Sequence, residues 1–373
     1  MLNKYLGIIS SLEKNQNFGS LVKHRPLASL PIFGRYRMID FILSNMVNSG
    51  IDTVGVFTNN SRSLVDHLGT GKPWELDRKI GGLFIFDYCM GDILFNDIKL
   101  LKDNIEFIYR SKKKYVLLSS PHMIYNIDFK KMAYSHEKSG KDITVVYKRI
   151  KNTDDGFLNC DTLNINDKDG VSIGKNLGAS KEINILIDTF IFKTELLLKI
   201  IHECIEKGNY ISLKNAILKN IKTYTLNLYE FKGTVKCINS LKAYYKSSMD
   251  MLDLSFRKEL FFKNGQVYTK PKDSQPTKYL MNSNVKNSIV ADGCTIKGRV
   301  ENSIISRGVV IEENVEIKDS IIFQNSHIKK GAKLQYTILD KNTVIEEGKK
   351  LIGDINHPLV IERQFINKLY FRR

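Results

Sequence analysis

The chain has 373 residues, of which 42% are apolar and 26% charged, with a formal net charge of +17. That length suggests about two domains, and the composition is that of a soluble globular protein able to bury a core of ordinary size. The basic excess reads either as a lysine-rich solvated surface or as a site for anions such as phosphate, and the absence of a recognition motif speaks against nucleic acid.

In chain order, Tyr5 to Ile9 is a short apolar run, expected to be a buried strand. Met38 to Asn48 has helical spacing, with Met38, Ile42 and Met46 four residues apart and Gly50 as a stop. Thr53 to Thr58 reads as a second strand. Strand, helix and strand within about 55 residues imply a βαβ unit and a parallel sheet. Further strands are expected at Tyr115–Ser119 and Ile143–Tyr147, with helices around Phe129–Lys138 and Thr194–Glu206. Leu241 to Leu260 reads as one long helix, because Leu241, Tyr244, Tyr245, Met249, Leu252 and Phe256 keep a helical period. Residues 263–284 carry Gly265, Pro271 and Pro276 with little periodicity, and read as a linker.

The last third has the clearest internal repeat. Ile305, Ile311 and Ile317 are six apart, as are Ile322, Ile328 and Leu334, and Leu339, Ile345 and Leu351. The triplets start 17 residues apart, and Val290 and Ile296 give a partial earlier coil. Gly293, Gly298, Gly308, Asn314, Gly331, Asn342 and Gly348 fall near the corners. A six-residue period with three steps per coil predicts a triangular left-handed β-helix, with one aliphatic side chain inward per step and left-handed backbone at the corners. The expected domains are an α/β unit with a mixed, mostly parallel sheet over 1–262 and a β-helix over 285–373.

Cys89, Cys160, Cys204, Cys237 and Cys294 are an odd number, far apart in sequence, without C-x-x-C spacing. This argues against a zinc site or disulfide framework and for a reducing compartment. No run of about 18 apolar residues exists, so no membrane partner is expected. The start of the chain lacks signal-peptide features, and a cytoplasmic location is the expectation.

The run Leu30-Pro31-Ile32-Phe33-Gly34-Arg35-Tyr36-Arg37-Met38-Ile39-Asp40-Phe41, continuing through Leu43-Ser44-Asn45 and Asn48-Ser49-Gly50-Ile51, resembles a signature of bacterial glucose-1-phosphate adenylyltransferases. His67-Leu68-Gly69-Thr70-Gly71 with Pro73-Trp74-Glu75-Leu76-Asp77-Arg78 is similar to the same family, and the resemblance covers nearly the whole chain. Active members carry a glycine-rich loop whose amides and arginine bind triphosphate. Counting back from Gly34 puts Leu12 and Glu13 at its paired glycines and Asn17 at its arginine. Leu27 falls at a phosphate-contacting lysine. Pro121 and His122 follow the strand that ends in a magnesium aspartate in active members, and Cys237 stands at a second metal aspartate. Loss of one preorganised electrostatic contact costs about 10²–10³ in rate, so losing four leaves little activity. Two alternatives stay open: a loop that binds nucleotide in another way, and a metal-ligating rather than structural His122.

These departures resemble the GlgD-type subunit of the enzyme. The resemblance implies a non-catalytic or weakly catalytic chain that acts in glycogen synthesis, where ATP and glucose 1-phosphate give ADP-glucose and pyrophosphate. It implies a hetero-oligomer, expected to be a tetramer, with a catalytic partner that uses Mg²⁺, and no cofactor of its own. Arg25, Arg35 and Arg37 are candidates for binding a phosphate or sugar-phosphate effector, the alternative being that they pair with carboxylates across the domain interface. Lys175 is a candidate match to a sugar-phosphate lysine. Two other readings remain: an active sugar-phosphate nucleotidyltransferase with an unusual site, and a non-enzymatic scaffold of the same architecture.

Overall fold

The structure is a computed structural model that describes residues 2–12, 16–59, 62–87, 96–151, 155–166, 170–208 and 211–363. Glu13 and Cys89 lie outside the described residues. Among the described residues, nine strands form one mixed sheet: β1 (Tyr5–Ser11), β2 (Thr53–Thr58), β3 (Gly82–Asp87), β4 (Tyr115–Ser119), β5 (Ile143–Lys151), β6 (Asp161–Asn166), β7 (Gly170–Lys175), β8 (Glu182–Lys193) and β9 (Leu226–Glu230). The order is β7-β6-β8-β4-β1-β2-β3, with β5 on β8 and β9 on β5. β4, β1, β2 and β3 are mutually parallel, whereas β8 runs antiparallel to β4, β5 and β6.

Helix α1 (Met38–Asn48) makes the expected crossover between β1 and β2. Arg37 caps its start, its backbone N–H donating to Asp40 Oδ2 at 2.9 Å, and Gly50 ends it at φ 93°. Its residues Met38 to Met46 are all buried, the polar Asp40, Ser44 and Asn45 among them. Helices α2 (Phe129–Ser139), α3 (Thr194–Glu206) and α4 (Leu213–Lys219) follow.

The long helix expected over 241–260 is instead two, α5 (Leu241–Asp250) and α6 (Leu254–Phe262). The Asp253 carboxylate accepts the N–H groups of Ser255 and Phe256 at 2.7 and 3.0 Å, and so starts a new helix. The apolar period runs on through the break, which hides it from a periodicity reading. Of the stretch 263–284, residues 264–270 lie along the first domain. Val267 is buried, Tyr268 N–H donates to Ser44 Oγ at 2.8 Å, and Asn48 donates to the Gln266 carbonyl at 2.9 Å. Lys278–Tyr279 already pairs with Thr295–Ile296 in the solenoid.

The C-terminal domain is a β-helix of the left-handed hexapeptide class, with three five-stranded parallel sheets. Ile305 pairs with Ile322 and Ile322 with Leu339, and Ile311 pairs with Ile328 and Ile328 with Ile345, the register that the repeat predicts. These side chains fill the interior, each burial stabilising by roughly 1.5–3 kcal/mol. Gly308 and Asn314 have left-handed φ of 67° and 57°. Gly298 differs from the corner reading: its φ is not left-handed, and glycine is required there because a Cβ would stand 2.6 Å from the Val315 carbonyl oxygen.

An apolar cluster joins the domains. Ile304, Ile321, Phe323 and Ile338 of the solenoid pack with Leu27, Phe41, Tyr244, Tyr245 and Phe261 of the first domain. Tyr245 donates to the Asp319 carbonyl at 2.6 Å across this seam. No helix among the described residues is long and apolar enough to cross a membrane.

Candidate functional site

A cavity of about 840 Å³ opens at the carboxyl ends of β1 and β4. Open α/β sheets bind ligands at this edge, because parallel strands end there and their loops diverge. Leu12, Asn17, Leu27, His122 and Cys237, read from the sequence as degenerate positions, all line it. Leu27 and Cys237 are 4% and 2% exposed and belong to apolar clusters. Asn17 is exposed and Leu12 half-buried, with no glycine among the described residues between them. Pro121 is buried next to His122 and does not line the cavity.

His122 has an acidic partner that its sequence neighbourhood does not show. Its Nε2 lies 3.2 Å from Asp188 Oδ2, on the middle of β8, and its Nδ1 lies 2.7 Å from Ser120 Oγ. Lys214, from α4, pairs with Asp188 Oδ2 and with Asp161 Oδ2, the latter at 2.7 Å. Lys175 closes the chain of charges at 2.7 Å from Asp161 Oδ1, β6 and β7 being registered so that the two residues face each other. Burial alone would raise the Asp188 carboxyl, but Lys214 and His122 outweigh it and hold the group well below the usual carboxylate range. Asp188 Oδ1 is buried and finds no hydrogen-bond partner among the described residues. The residue has φ 30° within a register shift of β8, a strained backbone of the kind that gathers at binding sites.

The cleft does not fit the Mg²⁺ that active family members use. That cation takes hard oxygen ligands in an octahedron. At the two positions concerned stand Pro121, which offers no ligand atom in its side chain, and the thiol of Cys237, and the nearby carboxylates of Asp161 and Asp188 are already engaged by lysines. Among the described residues, no three His, Cys, Asp or Glu side chains are grouped to hold a metal ion.

Sequence reasoning missed Asp188, Asp161 and Lys214. The signal was present in one place: Asp188 is a lone carboxylate inside the apolar run Ile185-Leu186-Ile187-Asp188-Thr189-Phe190. A charge there needs a partner, since burying it unpaired is costly. The structure also brings together two cysteines distant in sequence: Cys160 Sγ lies 3.0 Å from Cys237 Sγ, and neither is in a disulfide.

The three candidate arginines lie at the seam between domains, in different settings. Arg25 is engaged by Asp340 of the solenoid, Nη2 lying 2.5 Å from both carboxylate oxygens, with each side chain 3% exposed. Arg37 Nη1 donates to the carbonyls of Ser29 and Ser63 at 3.1 Å each. Arg35 is exposed, its guanidinium 5.4 Å from the Tyr36 ring centre. More cations converge here. Burial, then Arg25, Arg363 and Arg37, push Lys341 down to about 8. Burial, then Arg307 and Arg37, lower Lys272.

Residues 20–156 match the nucleotidyl transferase family, and residues 275–357 match the GlmU-like C-terminal hexapeptide family. The chain is 34% identical over 324 residues to the glycogen biosynthesis protein GlgD of Bacillus subtilis (strain 168), covering 85% of this chain and 83% of that protein. It is 34% identical over 318 residues to the glycogen biosynthesis protein GlgD of Geobacillus stearothermophilus, covering 83% and 82%. It is 29% identical over 303 residues to a glucose-1-phosphate adenylyltransferase of Clostridium novyi (strain NT), covering 79% of each chain. With the fold, the cleft and these relatives agreeing, the chain belongs to the GlgD family of glycogen biosynthesis proteins, within the nucleotidyltransferases related to glucose-1-phosphate adenylyltransferase.

Proposed function

We propose that the chain is a catalytically degenerate subunit that assembles with a catalytic glucose-1-phosphate adenylyltransferase and regulates its conversion of ATP and glucose 1-phosphate to ADP-glucose and pyrophosphate. One observation carries this reading: the charges of the cleft are engaged with one another. Nucleotidyl transfer needs Mg²⁺ and free cations aimed at the developing charge on the phosphates. Here Lys214 and Lys175 are engaged by Asp188 and Asp161, and the two expected metal positions hold Pro121 and the thiol of Cys237. A triphosphate would have to compete with carboxylates at 2.7 Å for the same lysines. Leu27 offers it an apolar wall in place of a cation.

The interdomain seam is the proposed effector site. Arg35, Arg37, Lys272, Arg307 and Lys341 crowd like charge at one place, and a phosphate group would relieve it. Arg25, paired with Asp340, is the structural support of that seam rather than a free ligand. The test is to mix the chain with a catalytic subunit and follow both association and kinetics. The proposal expects a mixed oligomer on size-exclusion chromatography, with the output of the catalytic subunit or its response to sugar phosphates altered. No complex and unchanged kinetics would refute it.

A further inference from the structure

Cys160 and Cys237 are 77 residues apart, yet their sulfurs meet at 3.0 Å in the wall of the cleft. Cys160 follows the short turn Asp155–Phe157 and opens β6, and Cys237 ends the strand Val235–Cys237 that leads to α5. Asn239 clips the two segments together, donating to the Leu158 carbonyl at 2.7 Å and lying 3.6 Å from Cys160 Sγ. Both cysteines are buried, but both border the open cavity, so a small oxidant reaches them from the cleft.

The Cys160 sulfur differs in kind from those of Cys204 and Cys294. The hydrogen bond with Cys237 lowers the Cys160 thiol, and the charges of His122 and Lys214 add to this against burial and Asp188. Burial raises Cys204 and Cys294 instead. The thiolate is the nucleophile, so Cys160 is the sulfur set to react and Cys237 the one in contact to resolve it. A disulfide needs the sulfurs to close to about 2.05 Å, an approach of about 1 Å.

We propose that Cys160 and Cys237 are a reversible thiol–disulfide pair in the cleft, oxidised by hydroperoxides and reduced by dithiols. The Cys160 thiolate attacks the near peroxide oxygen, the O–O bond breaks, and the leaving alkoxide or hydroxide takes a proton. The resulting sulfenic acid is attacked by Cys237, the S–O bond breaks, and water leaves with the Cys237 proton. Two thiols and one hydroperoxide thus give one disulfide, one alcohol (water, for hydrogen peroxide) and one further water. In a reducing compartment the pair rests as thiols, and the bond forms only under oxidant load. It would tie the wall that carries Asp161 to the strand entering α5, the helix that packs on the solenoid through Tyr245.

The test uses the full reduced chain, exposed to hydrogen peroxide, quenched with N-ethylmaleimide and mapped as non-reduced peptides. The expected result is one crosslinked peptide pair joining Cys160 to Cys237, with Cys204 and Cys294 alkylated and both thiols recovered after dithiothreitol. In Cys237→Ser, Cys160 should accumulate as a sulfenic acid that dimedone traps. The wild-type map stands by itself if that variant fails to fold. Recovery of both cysteines as alkylated thiols, over-oxidation of Cys160 without a crosslink, or a crosslink to any other cysteine would overturn the proposal.

Discussion

The Arg25–Asp340 pair offers a test of how the two domains are held. Each side chain is 3% exposed, and the guanidinium meets both carboxylate oxygens. Removing one partner of such a pair leaves a buried uncompensated charge and costs about 3–5 kcal/mol. The surroundings make the two losses unequal. In Arg25→Ala, Asp340 keeps the Lys341 N–H at 2.7 Å, and Lys341 and Arg37 lose a repelling neighbour, which places the cost near the lower limit of about 3 kcal/mol. In Asp340→Asn, Arg25 keeps those cations and loses its counterion, which places the cost near the upper limit of about 5 kcal/mol. The double variant Arg25→Met/Asp340→Leu removes both charges and should return to within about 1–2 kcal/mol of the parent, since apolar replacement of a buried pair is close to neutral. Urea unfolding followed by the fluorescence of Trp74, buried in the first domain, measures all three. Single variants within about 0.5 kcal/mol of the parent, or Arg25→Ala costing more than Asp340→Asn, would refute the reasoning.

Three further outcomes follow from the same geometry. Among the described residues, Lys214→Met leaves the buried Asp188 carboxylate with His122 as its one remaining ion-pair partner. In the parent, the Asp188 contribution is complete above its unfolded value of about 3.9 and is lost as pH falls toward its lower folded value. In Lys214→Met the folded value moves back toward the unfolded one, so the stability lost on acidification should shrink, seen in thermal midpoints taken between acid and neutral pH. At the seam, Lys341 sits at about 8 folded against about 10.4 unfolded, so it weakens the fold below 8, and stability rises as pH climbs through that window. Inorganic phosphate should therefore raise the thermal midpoint at neutral pH, with the gain fading as Lys341 loses its proton, and Lys341→Ala should remove most of that pH dependence. In the solenoid, Gly298→Ala should cost about 1–3 kcal/mol through its clash with the Val315 carbonyl, whereas Gly348→Ala, at φ 65° with open space, should cost about 1–2 kcal/mol through backbone strain alone.

The solenoid was legible because each coil repeats one local rule, an inward aliphatic residue every sixth position, and the paired registers reproduce it. The crossover from β1 through α1 to β2 was legible for the same reason, as its signals are contiguous. The cleft was legible by default: Leu12, Asn17, Leu27, His122 and Cys237 were singled out for what they lack, and they converge on one cavity. What fills that cavity was not legible. Asp188, Asp161 and Lys214 come from β8, β6 and α4, and their meeting depends on sheet order, which no local pattern encodes. Arg25 finds Asp340 across 315 positions of sequence, so its choice between a phosphate and a carboxylate was open until the domains were docked. The break between α5 and α6 was missed because a single capping Asp253 interrupts a period that continues on both sides.

That the cleft is catalytically degenerate, as proposed, is tested most directly by the rate at which the purified chain alone, with Mg²⁺, releases pyrophosphate from ATP and glucose 1-phosphate. With Lys214 and Lys175 held by Asp188 and Asp161, and Pro121 and the thiol of Cys237 at the metal positions, turnover should fall at least about 10²–10³ below that of a catalytic family member assayed alongside. A rate equal to that of the catalytic enzyme would contradict it.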